Sequence, residues 1–371
     1  MDNVIKVLVV EDSAFMQRRI VELLESCPDI RVAGTARDGV EAIEQVNRVN
    51  PDVITMDLNM PRMDGLTAIE NIMATCPKPI VILSSYSKLL GQRSFQALEI
   101  GAVDIVEKPG DSISLDLSMV REDLLRKLRT ASRVKVIRNA GGPKCSEPNS
   151  SVKVCRKVKP IDRIAALTAC SHEESARGAI VCIGSSTGGP GVLSKVLPSL
   201  PSNFSLPVVV AQHMPGSFMK PFIQQLASKC QVRVKEAEEG EVPQGGTVYV
   251  APGFKHLGFQ SAERFELHAP EVLPGPCPSV DVLFHSAALH FGSLAVGVLL
   301  TGMGSDGATG MRDILKRGGH TIAQDEESCV VFGMPKVAID NGSVKEILPS
   351  HEIASAILRS ASRVTRSVED A

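Results

Sequence analysis

The chain has 371 residues, a formal net charge of -2, 43% hydrophobic and 22% charged residues, which is enough for two or three domains with a core in each. A near-neutral balance with no Trp and two Tyr supplies neither the field nor the rings that nucleic-acid or anionic-membrane binding needs. The nine cysteines are scattered with no C-x-x-C pair, and no apolar run approaches the ~20 residues of a bilayer span, so a disulfide framework, a zinc site and membrane insertion are all unexpected, and a reducing cytoplasm is the expected location.

The first apolar run, Val4–Val10, contains Lys6 and leads straight into Glu11 and Asp12, which does not read as a signal peptide. Strand-like runs recur at Ile30–Ala36, Val53–Met56, Ile80–Leu83 and Asp104–Val106. Helical patterns lie between them at Phe15–Ser26, Gly39–Val49, Leu66–Thr75 and Leu89–Ile100, with a further helix near Leu117–Val136. Short β-branched runs alternating with helices predict a five-stranded parallel sheet covered on both faces. The expected domain spans 1–125. The stretch 126–175 reads as a linker, because Arg133–Lys159 within it is rich in Lys, Arg, Ser, Pro and Gly and buries little apolar surface.

Order resumes near Gly178, and a second domain is expected over 176–365. Strands are predicted at Ala179–Ile183, Val208–Ala211, Val232–Val234, Thr247–Val250, Leu294–Leu300 and Thr321–Ala323. Helices are predicted after Gly189, near Phe218, near Val280 and after Gly307. The closely spaced strands and Gly/Pro turns of 241–267 suggest a hairpin inserted into a doubly wound α/β unit.

In a parallel sheet the strand C-terminal ends share one edge. The first unit places there Glu11 and Asp12, then Asp57, then Ser84, then Lys108. Three clustered carboxylates repel unless a cation sits among them, and Mg2+ suits such hard oxygens. Asp57 then has the chemistry to attack phosphorus, with Ser84 and Lys108 meeting the transferred oxygens. The residues VVEDSAFMQR, TMDLNMPRMDG, ILSS and EKP resemble the response-regulator receiver family across the whole first unit. That resemblance implies a flavodoxin-like fold, Asp57 as phosphoacceptor for a histidine kinase phosphodonor, Glu11, Asp12 and Asp57 as Mg2+ ligands, and Ser84 and Lys108 as the groups that couple phosphate to a shape change. Many receivers carry an aromatic where this chain has Ile105, so an aromatic rotamer switch is unavailable.

In the second unit, Gly184-Ser185-Ser186-Thr187-Gly188 matches G-x-S-x-G, a strand-to-helix turn able to expose a serine. Taken alone it is also compatible with a Gly-rich turn or a phosphate cradle, although the P-loop lysine and the G-x-G-x-x-G glycines are missing. His213 and Asp306 each follow another predicted strand. Their order, Ser-His-Asp, differs from the Ser-Asp-His order of α/β-hydrolases. The motifs IGSSTGGP, AQHMPG, VAPGFKHL, PSVDVLF and LLTGMGSDGATGM, over about Gly178–Arg359, resemble the CheB family of protein-glutamate methylesterases. The resemblance implies a serine hydrolase with Ser186 (rather than Ser185) as nucleophile, His213 as base, Asp306 as its orienting acid and the Met303 backbone at the oxyanion. It needs no esterase cofactor. Its substrates would be glutamate methyl esters, and in the family also glutamines, on the cytoplasmic helices of chemoreceptors. The tandem order suggests that the receiver blocks Ser186 until Asp57 is phosphorylated. Competing readings are a non-enzymatic docking module, a DNA-binding output and a small-molecule esterase.

Overall fold

The computed structural model describes residues 4–84, 88–108, 118–134, 178–260, 263–273 and 275–369. The first unit alternates β1 (Ile5–Val10), α1 (Ala14–Glu25), β2 (Ile30–Ala36), α2 (Gly39–Val49), β3 (Val53–Asp57), α3 (Gly65–Thr75), β4 (Ile80–Ser84), α4 (Lys88–Ile100), β5 (Asp104–Glu107) and α5 (Ser118–Ala131). The strands form one parallel sheet in the order β2-β1-β3-β4-β5, because each β-α-β crossover returns the chain in the same direction. Side chains at helix starts fix where the crossovers begin: Ser13, Asp38 and Asp64 each accept a backbone N–H from the first turn that follows. Helix α5 runs without a break past the expected domain end at 125, because Leu128 and Ala131 are themselves buried in the core of the first unit. Most of the expected linker lies outside the described residues.

The second unit contains β6 (Ile180–Ser185), α6 (Gly189–Val196), β7 (Val208–Gln212), α7 (Gly216–Lys229), β8 (Arg233–Glu236), β9 (Thr247–Val250), β10 (His256–Gln260), β11 (Arg264–His268), α8 (Val280–Phe291), β12 (Ala295–Leu299), α9 (Ala308–Lys316), β13 (His320–Gln324), α10 (Met334–Asp340), β14 (Glu346–Leu348) and α11 (Ser350–Glu369). Seven strands form a parallel sheet in the order β14-β13-β12-β6-β7-β9-β8, and β10 and β11 pair separately as the expected antiparallel hairpin. The central strands β6, β7 and β12 are buried along their whole length, which is why they read as unbroken apolar runs. Sheet order reverses between β6 and β12, the crevice where open α/β sheets bind ligands. Strand β14 and helices α10 and α11 add to the expected elements. Cys182, in β6, is buried, whereas Cys76, at the end of α3, is only partly covered.

The two units pack against each other. Helix α4 lies on α6 and α7, and Phe95 of α4 sits against Phe222, ring centroids 5.3 Å apart, and edge-on to Phe218 at 6.4 Å. Phe95, Phe218 and Phe222 belong to one continuous apolar core. Among the described residues, no helix is long and apolar enough to cross a membrane.

Candidate active site and phosphorylation pocket

Ser186 follows β6 directly, and Gly189 opens helix α6 three residues later. The Ser186 N–H donates to the carbonyl of Thr301 at 3.0 Å, tying the turn to the segment after β12. That approach needs Gly302, since a Cβ there would lie 2.7 Å from Ser186 Cβ. On the other side, Ser185 pairs in register with Gln212, and the His213 N–H donates to the Ser185 carbonyl at 3.0 Å. Sheet register thus sets Ser186 and His213 side by side past the ends of neighbouring strands. The imidazole meets the aspartate directly: His213 Nε2 lies 2.8 Å from Asp306 Oδ2. With Nε2 engaged, Nδ1 is the ring nitrogen left for a hydroxyl.

Asp306 rests on the start of helix α8. Its Oδ2 also accepts the Val280 N–H at 2.7 Å, and its Oδ1 accepts the Asp281 N–H at 2.9 Å and the Ser279 hydroxyl at 3.0 Å. Burial pushes this carboxyl up, but the hydrogen bond and charge of His213, with the two helix-terminal N–H donors, outweigh it and hold Asp306 below the ordinary carboxylate range. Ser279 is held in turn by His256, whose Nδ1 accepts the Ser279 N–H at 3.1 Å and whose imidazole is shifted downward, chiefly by burial.

The two adjacent serines differ in kind. Ser185 is fully buried, and its hydroxyl donates to Gln212 Oε1 at 2.6 Å. The Gln212 amide then donates to the carbonyls of Ser186 (2.9 Å) and His213 (2.8 Å), bracing the two chain segments. Sequence reasoning missed Gln212, and its only signal was its place before His213. It also missed Ser279, whose distance in sequence from Asp306 hides the contact. Met303 is partly exposed and follows Gly302 on the same post-β12 segment.

In the first unit, one ligand oxygen from each of Glu11, Asp12 and Asp57 fits within 4.8 Å of the others. They stand at the β1/β3 reversal of strand order. Lys108 Nζ lies 2.6 Å from Asp57 Oδ2 and 2.7 Å from Glu11 Oε2. Burial pushes Glu11 up more strongly than Lys108 pulls it down. Burial also disfavours the Lys108 ammonium, but the charges of Asp57 and Glu11 outweigh it and raise its pKa. One ammonium balances one of the three carboxylates, and a divalent cation would balance the other two. Hard oxygen donors open to solvent on the Asp12 side suit Mg2+. Ser84 is buried at the end of β4, and its carbonyl accepts the Lys108 N–H at 2.8 Å.

Strand β5 connects the two sites. Asp104 Oδ2 accepts the hydroxyl of Thr187, the residue after Ser186, at 2.5 Å. Glu107 Oε2 accepts the hydroxyl of Ser217, at the start of α7, at 2.5 Å. Thr130 of α5 contacts the Met303 sulfur, and Glu99 of α4 accepts from Gln225 at 2.6 Å and pairs with Lys229. A cleft between the units is lined by Asp104 and Ile105 on one side and by Gly188, His213, Met214 and Phe218 on the other.

The response regulator receiver domain family matches residues 7–119, and the CheB methylesterase family matches residues 181–357. A protein-glutamate methylesterase/protein-glutamine glutaminase of Symbiobacterium thermophilum is 41% identical over 359 residues, covering 96% of each chain. Its namesake in Thermotoga maritima is 40% identical over 360 residues, covering 96% of this chain and 98% of the relative. Among solved structures, the Thermotoga maritima CheB methylesterase catalytic domain is 43% identical, with a TM-score of 0.48, over 49% of this chain and 98% of that one. The response regulator domain of the same organism's CheB is 43% identical, with a TM-score of 0.34, over 36% of this chain and 98% of that one. The chain therefore belongs to the CheB family, whose members join a receiver domain to a methylesterase domain.

Proposed function

We propose that the chain is a phosphorylation-controlled protein-glutamate methylesterase acting on chemoreceptor helices. The observation that carries the chemistry is the 2.8 Å contact between His213 and Asp306 beside Ser186, at the crevice of a parallel sheet. His213 takes the Ser186 proton as the oxygen attacks the γ-ester carbonyl of a methylated glutamate. Asp306, held ionised, fixes the imidazole tautomer and stabilises the imidazolium. The Met303 N–H meets the oxyanion. Methanol leaves with the proton from His213, and water then releases the acyl group as free glutamate. A glutamine side chain enters the same sequence with ammonia as the leaving group, which makes glutaminase activity the second reaction of the same site.

The receiver supplies the control. Asp57 accepts a phosphoryl group from a histidine kinase. Glu11, Asp12 and Asp57 would hold Mg2+, which would neutralise charge on the group being transferred. Lys108 and Ser84 contact the new phosphoryl oxygens. Before phosphorylation, Asp104 and Glu107 grip hydroxyls beside Ser186 and at the start of the helix after His213, so the receiver stands over the route by which a receptor helix reaches the site. A phosphoryl group adds nearly two charges next to Lys108, which adjoins Glu107 in sequence, and so weakens that grip.

The test is methanol release from methylated receptor membranes, with and without a small phosphodonor. Release that rises with the phosphodonor supports the reading. Hydrolysis of a simple ester with none of the receptor methyl ester would overturn it in favour of a small-molecule esterase. Absence of covalent labelling at Ser186 by a serine-directed phosphonate would overturn it in favour of a docking module.

A further inference from the structure

Helices α8 and α9 cap each other. Asp306 stands just before α9, yet its oxygens take the first N–H groups of α8, from Val280 and Asp281. Asp281, the second residue of α8, reaches the other way. Its Oδ1 accepts the Gly310 N–H in the first turn of α9 at 2.7 Å. Each carboxylate satisfies donors that have no partner within their own helix and meets the positive end of that helix's dipole. The two helices must approach closely for this. A Cβ at residue 310 would fall 2.4 Å from Phe284 Cβ and 3.1 Å from the Asp281 carbonyl oxygen, so only glycine fits. His285, one turn beyond Asp281, is engaged by Asp313 at 2.7 Å instead.

The segment between β12 and α9 carries both Met303 and Asp306. Its entrance is fixed at Gly302, whose N–H donates to the Val331 carbonyl at 3.0 Å and whose carbonyl accepts the Met334 N–H at 2.8 Å. Its exit is the first turn of α9, and Asp281 is the side chain that holds that turn against α8. We infer that Asp281 is a positioning residue for the hydrolysis: by anchoring the start of α9 it sets where the Asp306 carboxylate meets His213 and where the Met303 N–H points. The inference rests on the esterase reading above. Burial, with the Asp306 charge adding to it, pushes the Asp281 carboxyl up to about 7. Protonated or ionised, its Oδ1 still accepts from Gly310, and an asparagine oxygen keeps that bond.

The experiment measures kcat and KM for methanol release by the full-length, phosphodonor-activated chain on methylated receptor membranes. Rates are normalised to the fraction of Ser186 labelled at completion by a serine-directed phosphonate. Asp281→Ala should lower kcat per labelled site by between ~10- and ~100-fold, the scale expected when reacting groups are displaced by about an ångström, with KM unchanged. Asp281→Ser, polar but too short to reach Gly310, should behave like Asp281→Ala. Asp281→Asn should stay within threefold of the wild type. The inference is overturned if Asp281→Ala and Asp281→Ser keep the wild-type kcat per labelled site, or if Asp281→Asn is no better than they are. A loss confined to the labelled fraction, with normal kcat per site, also overturns it, since that is a folding defect. A wild-type chain that released no methanol would overturn the esterase reading and this inference together.

Discussion

Replacing Glu107 with alanine tests the control mechanism at a single contact. Glu107 Oε2 accepts the Ser217 hydroxyl at 2.5 Å across the boundary between the two units. A hydrogen bond to a charged group contributes about 1.5–3 kcal/mol net, and partial exposure favours the lower end. A loss of about 1.5 kcal/mol from the closed arrangement alone lowers the closed-to-open ratio about tenfold, because about 1.4 kcal/mol is one decade. Basal methanol release from the unphosphorylated chain should therefore rise about tenfold. Asp104→Ala removes the contact to Thr187 and should act similarly. The double variant should approach about a hundredfold if the contacts are independent. The ceiling in each case is the rate of the chain lacking residues 1–135. The assay compares basal and phosphodonor-stimulated release for each variant, with phosphoryl uptake at Asp57 as a check that the receiver remains intact. The reasoning is refuted if the basal rate does not move, or if basal and stimulated rates rise by the same factor, which would place the effect in the esterase site.

Three further outcomes are expected. Ser186→Ala should cost several orders of magnitude in kcat, whereas Ser185→Ala, which loses only the buried bond to Gln212, should cost roughly tenfold or less; steady-state methanol release separates them, and the reverse ranking would reassign the nucleophile. Asp57→Asn should abolish phosphoryl uptake and leave basal esterase activity unchanged, as read by phosphoprotein gel and methanol release. Asp281→Asn should stabilise the fold in a pH-dependent way. The folded carboxyl titrates near 7 against an ordinary 3.8, so the folded state holds the proton more tightly and native stability falls as pH rises from about 4 to about 7. The gain in thermal midpoint over wild type should therefore be small near pH 4, grow through that window and stay level at pH 8; a gain that shrinks with rising pH would contradict the sign.

Much of the fold was legible because its strands are buried on both faces. Val7–Val10 and Ile180–Ser185 have no solvent side, so they appear as runs rich in Val and Ile with no polar alternation between helical patterns. The residues at strand ends were legible for the same reason: a parallel sheet carries Glu11, Asp57, Ser186 and His213 to one edge of its own sheet, and Asp306 lies on the loop that leaves β12 at that same edge. The terminal elements were less clear, since β14 is an edge strand of three residues, too short to show a period.

Linear order established which chemical groups reach each sheet edge, because strand direction alone dictates that. Only tertiary packing decided which groups touch. The sequence separation of 93 between His213 and Asp306 places no limit on their distance in space, and the contact exists because β12 lies beside β6 and the start of α8 anchors the acid. Packing likewise separated Ser185, sealed against Gln212, from Ser186. It also put β5 of the receiver against Thr187 and Ser217, through complementary surfaces that no local pattern encodes.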